Sequence, residues 1–119
     1  MRVLVTGSRD WDDQVQLYTA FTAVFLDARK ETVSLVSGNC PTGADKMAED
    51  LFEAMGYEVE RYPADWSLGK KAGYLRNKAM VDSKPDLCVG FVKNNSRGAS
   101  MTVKLAQDAG IETYIYRQD

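Results

Sequence analysis

The segment GNCPTG at residues 38–43 has the glycine spacing of a phosphate-binding loop. In such loops the last glycine is followed by Lys, which reaches the β and γ phosphates, and by Ser or Thr, which holds Mg²⁺. Here the next two residues are Ala44 and Asp45. The pattern therefore excludes the chemistry of ATPases and kinases, but it is compatible with a turn whose amides hold a phosphate.

Two other segments combine small residues with a predicted helix start. They are TGSRDW at 6–11 and KNNSRGAS at 93–100, which contain Arg9 and Arg97 respectively. The first amides of a helix lack intrahelical acceptors and carry partial positive charge, so they attract phosphate or carboxylate. Arginine adds bidentate hydrogen bonds to the same anions. Together with the segment at 37–45, these loops predict an anion site clamped by Arg9 and Arg97.

The start of the second predicted helix also has a structural interpretation. Thr42 and Asp45 have the spacing of a capping box, in which the threonine hydroxyl caps the helix and the carboxylate reaches back. We therefore expect capping, more than ligand contact, to explain Asp45, although it is the best catalytic candidate among the loop carboxylates, ahead of those in 10–13. Ser8 has no evident base nearby, so we expect it to cap a helix or bind phosphate.

The segment at 63–81, PADWSLGKKAGYLRNKAMV, predicts a third helix from about Leu68 to Val81, with Ser67 as its cap. The predicted core stripe consists of three apolar residues, Ala72, Leu75 and Ala79. An adjoining strip at helical spacing contains Gly73, Arg76, Asn77 and Met80.

On that strip, Gly73 indicates close approach by another backbone or a ligand, because glycine costs about 1 kcal/mol in a helix. Arg76 and Asn77 face a nucleotide, a second subunit or solvent. Trp66 and Trp11 precede helices at the same end of the chain's predicted sheet. Each could stack on a base or pack in the core.

Short apolar runs alternate with helical patterns along the chain. The runs are VLV at 3–5, VSLVS at 33–37, YEVERY at 57–62, LCVGFV at 87–92 and IETYIY at 111–116. This alternation predicts one domain over 1–119, an α/β three-layer Rossmann-like sandwich with a five-stranded parallel sheet in the order 3-2-1-4-5. Ligands of such sheets bind beyond the carboxyl ends of the strands where the order reverses. All three glycine-containing loops are expected there.

Apolar residues at helical spacing mark the helices between these runs. In the first helix they are Leu17, Phe21, Val24 and Ala28; in the second they are Ala44, Met47, Ala48, Leu51, Phe52 and Met55. Gly56 ends the second helix, and a fourth is predicted from about Gly98 to Ala109.

Composition removes several function classes. The 119 residues include no histidine, so a Ser-His-Asp triad is not expected. The two cysteines, Cys40 and Cys88, are too few for a disulfide framework or a zinc site, and no metal ligand is predicted. A net charge of −2 argues against a broad nucleic-acid surface. No apolar run is long enough to cross a bilayer, and the start MRVLVTGSRD lacks a signal-peptide layout, so we expect a cytoplasmic protein without membrane contact.

The succession VTGSRDW, VSGNCPTGADKMAE, YPADWSLGKKAGYLRNKAMVD, PDLCVGF and SRGASMTVKLAQDAGI resembles the YspA-like, YpsA-related branch of the SLOG superfamily. This superfamily includes the LOG phosphoribohydrolases and the DprA/Smf DNA-processing proteins. The resemblance implies a Rossmann-like domain that binds a nucleotide or a nucleotide-derived ligand of NAD or ADP-ribose type. It also implies an association with phage or bacterial conflict systems, or with nucleotide signalling, and frequent dimers.

The resemblance places ligand contacts in four segments. They are Gly7, Ser8 and Arg9; Ser37, Gly38, Thr42, Gly43, Ala44 and Asp45; Arg76 and Asn77; and Ser96, Arg97, Gly98, Ala99 and Ser100. Trp66 is added as a possible stacking partner of the base.

The chain departs from the LOG pattern at its fourth helix. LOG enzymes share a PGGxGTxxE segment whose glutamate supports N-glycosidic cleavage, whereas the matching stretch here is SRGASMT, without a following glutamate. A nucleotide-binding domain is therefore the leading hypothesis, and no cofactor is assigned beyond such a ligand. The alternatives are an N-glycosidase acting on nucleoside monophosphates or NAD derivatives, and single-stranded DNA binding as in DprA. A homodimer is expected through Tyr74 and Met80 on the third helix.

Overall fold

The strands form where the apolar runs predict them, and they make one parallel sheet. The computed structural model describes residues 1–28 and 32–118. Within these residues the strands are β1 (Arg2–Gly7), β2 (Ser34–Ser37), β3 (Glu58–Arg61), β4 (Leu87–Lys93) and β5 (Glu112–Gln118). Their order is β3-β2-β1-β4-β5, and every neighbouring pair is parallel. The predicted α/β fold, parallel sheet and strand order are confirmed.

Helices cover both faces of the sheet. They are α1 (Gln14–Ala28), α2 (Gly43–Ala54), α3 (Ala72–Asp82) and α4 (Arg97–Asp108), with a 3₁₀ helix at Trp66–Lys71 before α3. Side chains alternate along β1, so Val3 and Val5 pack with α1 and α2, whereas Leu4 packs with α3 and α4. The central strands are buried on both sides, as a doubly covered parallel sheet requires.

The first two helices match their predicted stripes. Leu17, Phe21, Val24 and Ala28 of α1 are buried, as are Ala44, Ala48 and Phe52 of α2. The α2 stripe fades at its end, where Met55 is 51% exposed. Gly56 then adopts a left-handed φ of 78° and its N–H bonds the Glu53 carbonyl, so it ends α2 as predicted.

The prediction for the third helix is wrong in its start and its buried face. Asp65, not Ser67, caps the 3₁₀ helix at Trp66–Lys71, because its carboxylate accepts the Ser67 N–H at 3.1 Å; α3 itself has no side-chain cap. Gly69 then interrupts the helical conformation with φ 80° and ψ −151°, which are almost restricted to glycine. The helix α3 therefore begins only at Ala72.

The buried side of α3 is the strip that was predicted to adjoin the core. Ala72 is buried as predicted, but Leu75 is 41% exposed and Ala79 is exposed, whereas Asn77 and Met80 are buried. An asparagine can replace leucine on this side because Arg76 Nε donates to its Oδ1 at 2.7 Å, which satisfies the side-chain oxygen. Met80 is only 2% exposed, so it is not available for the predicted dimer surface, whereas Tyr74 is 43% exposed.

In the part of the chain that the structure describes, no helix has the length and apolar character needed to span a membrane.

The loops that follow β1 and β2 are locked together where α2 begins. We name the segment 8–13 the first loop, 38–42 the second loop and 94–96 the third loop. Gly43 has a left-handed φ of 72°, and an added Cβ would lie 2.3 Å from the Ser8 carbonyl oxygen and 2.6 Å from that of Arg9. The start of α2 can therefore approach the first loop only with glycine at this position.

We expect Gly43→Ala to lower the free energy of unfolding by at least about 2 kcal/mol, because the new methyl group meets both unfavourable φ and backbone oxygens. Denaturant unfolding measures this loss. Gly98→Ala, at the start of α4, is the matched control: its added Cβ meets nothing within 4 Å, so its change should stay within about 1 kcal/mol. Equal losses in the two variants would contradict the packing argument.

Candidate functional site

A cleft opens beyond the carboxyl ends of β1 and β4, where the strand order reverses. Its larger lobe has a volume of about 590 Å³. Of the predicted site residues, the larger lobe is lined by Gly7, Arg9, Asp45, Trp66, Arg76, Asn77, Ser96, Gly98 and Ala99. Residues from the first loop, α2, α3 and α4 thus meet around one space, which is the position expected for ligands of this fold.

A smaller lobe of about 380 Å³ adjoins it and is more apolar in its lining. Its own residues are Gly38, Asn39, Cys40, Pro41, Pro63 and Ala64. Arg9, Trp66 and Arg76 line both lobes and stand at their junction. The cleft therefore has two compartments of different character that are joined at two arginines and a tryptophan.

Several predicted residues hold the loops in place and do not line either lobe. The Ser8 hydroxyl accepts the Lys93 N–H at 2.7 Å, the Ser37 hydroxyl donates to Glu49 at 2.7 Å, and the Thr42 hydroxyl donates to the Arg9 carbonyl at 2.9 Å. Ser8 and Ser37 are almost fully buried. These side chains connect the loops, and Ser8 is neither a helix cap nor a hydroxyl free for phosphate.

The remaining predicted residues lie at the edges of the site. Gly43 and Ala44 pack against the first loop and Gly7, where an added Cβ on Gly7 would lie 2.3 Å from the Ala44 Cβ. Arg97 and Ser100 are exposed and line neither lobe.

The three helix starts differ in how their first amides are used. Asp13 caps α1, since its carboxylate accepts the Gln16 N–H at 3.0 Å. The start of α2 faces the first loop, where the Ala44 N–H points to the Ser8 carbonyl at 3.4 Å. At α4 the Ser96 side chain makes no capping bond, and within the described residues the amides at 97–99 have no acceptor. The start of α4 combines these amides with a position on the cleft, because Gly98 and Ala99 line the larger lobe.

Arg76 is fixed across the cleft by the second loop. Its Nη1 donates to the Gly38 carbonyl at 2.5 Å, and its Nε donates to Asn77. An added Cβ on Gly38 would lie 2.6 Å from Nη1, so glycine makes room for the guanidinium. Burial lowers the pKa of Arg76 from its ordinary value, and the nearby Asp45 carboxylate opposes that shift.

The two tryptophans have different roles. Trp11 is 2% exposed and packs on Phe91 with ring centroids 5.3 Å apart, so it belongs to the core. Trp66 is 58% exposed in the cleft, and the Arg9 guanidinium carbon lies 5.9 Å from its ring centroid. This distance suits a cation–π contact that orients Arg9 toward the junction of the lobes.

Sequence reasoning did not place Lys70 and Tyr74 in the lining of the larger lobe, and it named Asp10 only as a weaker catalytic candidate. Trp66, Lys70 and Tyr74 recur every four residues, a spacing that could have indicated one face along this segment. The predicted helix instead began at about Leu68, because a helical pattern does not reveal the break at Gly69.

Comparisons with known proteins identify the family of this chain. The profile of the YspA, cpYpsA-related SLOG family matches residues 1–69. Over 116 residues the chain is 39% identical to the "Gene 61 protein" of Mycobacterium phage D29, and the match spans 92% of this chain and 91% of that relative. The chain belongs to the YspA, cpYpsA-related SLOG family. No solved structure matches it.

The part matched by this SLOG profile contains the first and second loops and Trp66, whereas Arg76 and the start of α4 lie beyond it. Gly38, Gly43 and Asp45 therefore stand in the segment that carries the family identity. Of Gly38, Gly43 and Asp45, only Asp45 has an ionisable side chain.

The capping prediction for Asp45 is wrong. Thr42 makes no side-chain cap, and the Asp45 carboxylate accepts the Cys40 N–H at 3.3 Å instead of reaching back to Thr42. The physical reason is the first loop: its Arg9 carbonyl takes the Thr42 hydroxyl. Asp45 is 7% exposed, and burial raises its pKa to about 6 against the opposing effects of the Cys40 N–H and Arg76.

This raised pKa means that the ionised Asp45 weakens the fold. The folded state binds the proton more tightly than the unfolded chain, so the contribution to stability is complete below about pH 4 and is lost as the pH rises through about 6. Asp45→Asn keeps an oxygen for the Cys40 N–H but does not titrate. We compare the variant with the natural chain by the difference in their free energies of unfolding, variant minus natural. We expect this difference to increase by about 1 to 2 kcal/mol between about pH 5 and pH 8, because the natural chain loses stability as Asp45 ionises.

Denaturant unfolding of both chains at several pH values measures that difference. Asp50→Asn, on the exposed side of α2, is the control and should show a smaller change with pH. An Asp45→Asn difference that stays constant with pH would contradict the burial of a titrating carboxyl group.

Proposed function

We propose that this protein binds a nucleotide or nucleotide-derived ligand of the NAD or ADP-ribose type in the two-lobed cleft. Membership of the SLOG family indicates a nucleotide-related function in general. The open start of α4 is the observation that carries the more specific proposal. Free amides at 97–99, together with the helix dipole, favour a phosphate or pyrophosphate at this position in the larger lobe.

The positive side chains around the larger lobe support an anionic ligand. Arg9, Lys70 and Arg76 line it, opposed by the carboxylates of Asp10 and Asp45. Arg76 is held by Gly38 and Asn77 before any ligand arrives, which lowers the cost of ordering it on binding. We therefore assign the clamp to Arg9 and Arg76, replacing Arg97, which lies outside both lobes.

The smaller lobe suits the base of the nucleotide. Pro41, Pro63 and Ala64 give it an apolar wall, and Trp66 presents an exposed ring at the junction. Aromatic and apolar side chains bind bases by stacking, with little dependence on their hydrogen-bonding edges. The volume of each lobe falls in the range typical of small-molecule sites, about 300 to 1,000 Å³.

Calorimetric titration with ADP-ribose, NAD and AMP tests this function. We expect at least one of them to bind, and we expect Arg9→Ala to weaken that binding by about tenfold or more because a charge-assisted contact is lost. Lys104→Ala is the control, since Lys104 pairs with Asp108 on the outer side of α4 and should leave the affinity unchanged. Chromatography of the recovered ligand detects any base released by hydrolysis.

The proposal fails if none of the three ligands binds. It also fails in its assignment of the site if Arg9→Ala binds as tightly as the natural chain. In our assignment Arg97→Ala has a smaller effect than Arg9→Ala.

We also propose that the expected homodimer forms through the outer face of α1. This face consists of uncharged residues, namely Val15, Tyr18, Thr19, Thr22, Ala23 and Leu26. Val15 is 77% exposed and Leu26 is 70% exposed. A face without charges can meet itself across a two-fold axis without repulsion, and a dimer there would bury the exposed side chains of Val15 and Leu26.

Light scattering tests the assignment of this interface. We expect the natural chain to have twice the mass of the 13.3 kDa monomer, and Leu26→Glu to reduce it to one copy. Leu75→Glu, on the exposed side of α3, is the matched control and should remain dimeric. A monomeric natural chain, or a monomer produced by Leu75→Glu but not by Leu26→Glu, would exclude the α1 interface.

A further inference from the structure

The carboxylate of Asp45 has hydrogen-bonding capacity that the protein does not use. Its Oδ2 accepts the Cys40 N–H at the rather long distance of 3.3 Å, and the carboxylate accepts no other hydrogen bond from the described residues. An ionised carboxylate can accept about four. Because Asp45 lines the larger lobe and is otherwise buried, the remaining capacity is directed at the cleft.

The two neighbouring arginines do not explain this carboxylate. Arg9 and Arg76 are close enough to lower the pKa of Asp45, but no ion pair within 4.0 Å joins it to either one in the described chain. Arg76 directs its Nη1 and Nε to the Gly38 carbonyl and Asn77. A buried charge without a direct partner is costly, so its retention indicates a partner that arrives with the ligand.

The position of Asp45 identifies which part of a nucleotide it would meet. Asp45 lines the larger lobe, and Cys40, whose N–H it accepts, lines the smaller lobe. The carboxylate therefore lines the same lobe as the start of α4, proposed for phosphate, and is hydrogen-bonded to a residue of the lobe proposed for the base. In a nucleotide the sugar connects these two parts.

A carboxylate at this point needs hydrogen-bond donors, and it repels phosphate oxygens. The ribose hydroxyls are the donors that a nucleotide offers between its base and its phosphate. We propose that Asp45 accepts hydrogen bonds from the ribose hydroxyls of the ligand and thereby selects ribonucleotides over deoxyribonucleotides. This inference rests on the function proposed above and adds the sugar class to it.

The charged groups around Asp45 come from every element that packs on it. They are Arg9 of the first loop, Arg76 of α3 and Glu49 of α2, while the second loop contributes the Cys40 N–H. Glu49 is already bound by Ser37 and Arg61, so it is not a second acceptor for the sugar. Asp10 also lines the larger lobe, but it is exposed.

Binding of AMP, 2′-deoxy-AMP and 3′-deoxy-AMP at about pH 8 tests the inference, because there the Asp45 carboxylate is ionised. We expect the natural chain to prefer AMP over at least one deoxy analogue by about tenfold or more, since an unpaired buried acceptor is left when a hydroxyl is missing. Asp45→Ala should reduce this preference to within about twofold, and Asp45→Asn should give an intermediate ratio.

Asp10→Asn is the matched control, since it removes the same charge from the same lobe. It should keep the preference for AMP, even if the affinity for all three ligands rises. Circular dichroism and thermal unfolding of each variant confirm that the fold is retained.

Proton linkage gives a second readout of the same contact. ADP-ribose is the suitable probe, because its phosphates are diesters and do not have the titration near pH 6 of a phosphate monoester. If the ribose hydroxyls bind the ionised carboxylate, the affinity of the natural chain should fall by about tenfold from pH 7.5 to pH 5, whereas that of Asp45→Ala should change by less than about twofold.

The outcomes separate the two proposals. If no nucleotide binds, both the function and the sugar contact are refuted. If nucleotides bind but the natural chain does not distinguish AMP from its deoxy analogues, only the sugar contact is refuted. The same conclusion follows if Asp45→Ala weakens AMP and both analogues equally, since Asp45 would then only order the second loop.

Discussion

The site depends on the close backbone contact between the start of α2 and the first loop. At Gly43 the backbone approaches the Ser8 and Arg9 carbonyls so closely that a side chain would collide with them. The Thr42 hydroxyl adds a hydrogen bond to the Arg9 carbonyl, and Ser8 bonds the backbone of Lys93 at the end of β4. These contacts bring the ends of three strands to one rim and place Arg9 at the junction of the two lobes.

The same contact involves the start of α2, where the Ala44 N–H points to the Ser8 carbonyl of the first loop. At α1 the Asp13 carboxylate accepts the Gln16 N–H, whereas the Ser96 side chain makes no capping bond at α4. The glycine-rich segment at 38–43 therefore serves mainly to pack two loops together. Its second contribution is Gly38, which leaves space for the Arg76 guanidinium on the opposite side of the cleft.

The fold and the position of the cleft were predictable because they depend on patterns of many residues. Apolar runs and their alternation with helices determine the sheet, and the strand order then determines where the loops meet. The buried side of α3 was not predictable from such patterns, because a satisfied Asn77 replaced Leu75 and Gly69 shifted the helix start. Each of these depends on one local contact that periodicity does not report.

The role of Asp45 was also mispredicted for a local reason. The capping-box spacing is present, but the first loop takes the Thr42 hydroxyl and leaves the carboxylate buried beside two arginines. That arrangement weakens the fold at neutral pH, and such a cost is typical of residues kept for function. Buried polar contacts between loops that are distant in the sequence are thus the part of this site that sequence patterns could not predict.

The central claim is that the first loop, the second loop and the start of α4 bind one ligand together. Amide chemical shifts, followed by two-dimensional NMR during titration with ADP-ribose, test it most directly. The account predicts shifts concentrated in residues 7–10, 38–45 and 96–100 that saturate with one common dissociation constant. Shifts confined to one of these segments, or concentrated in the groove between α1 and β5 lined by Ala20, Val24 and Tyr114, would contradict it.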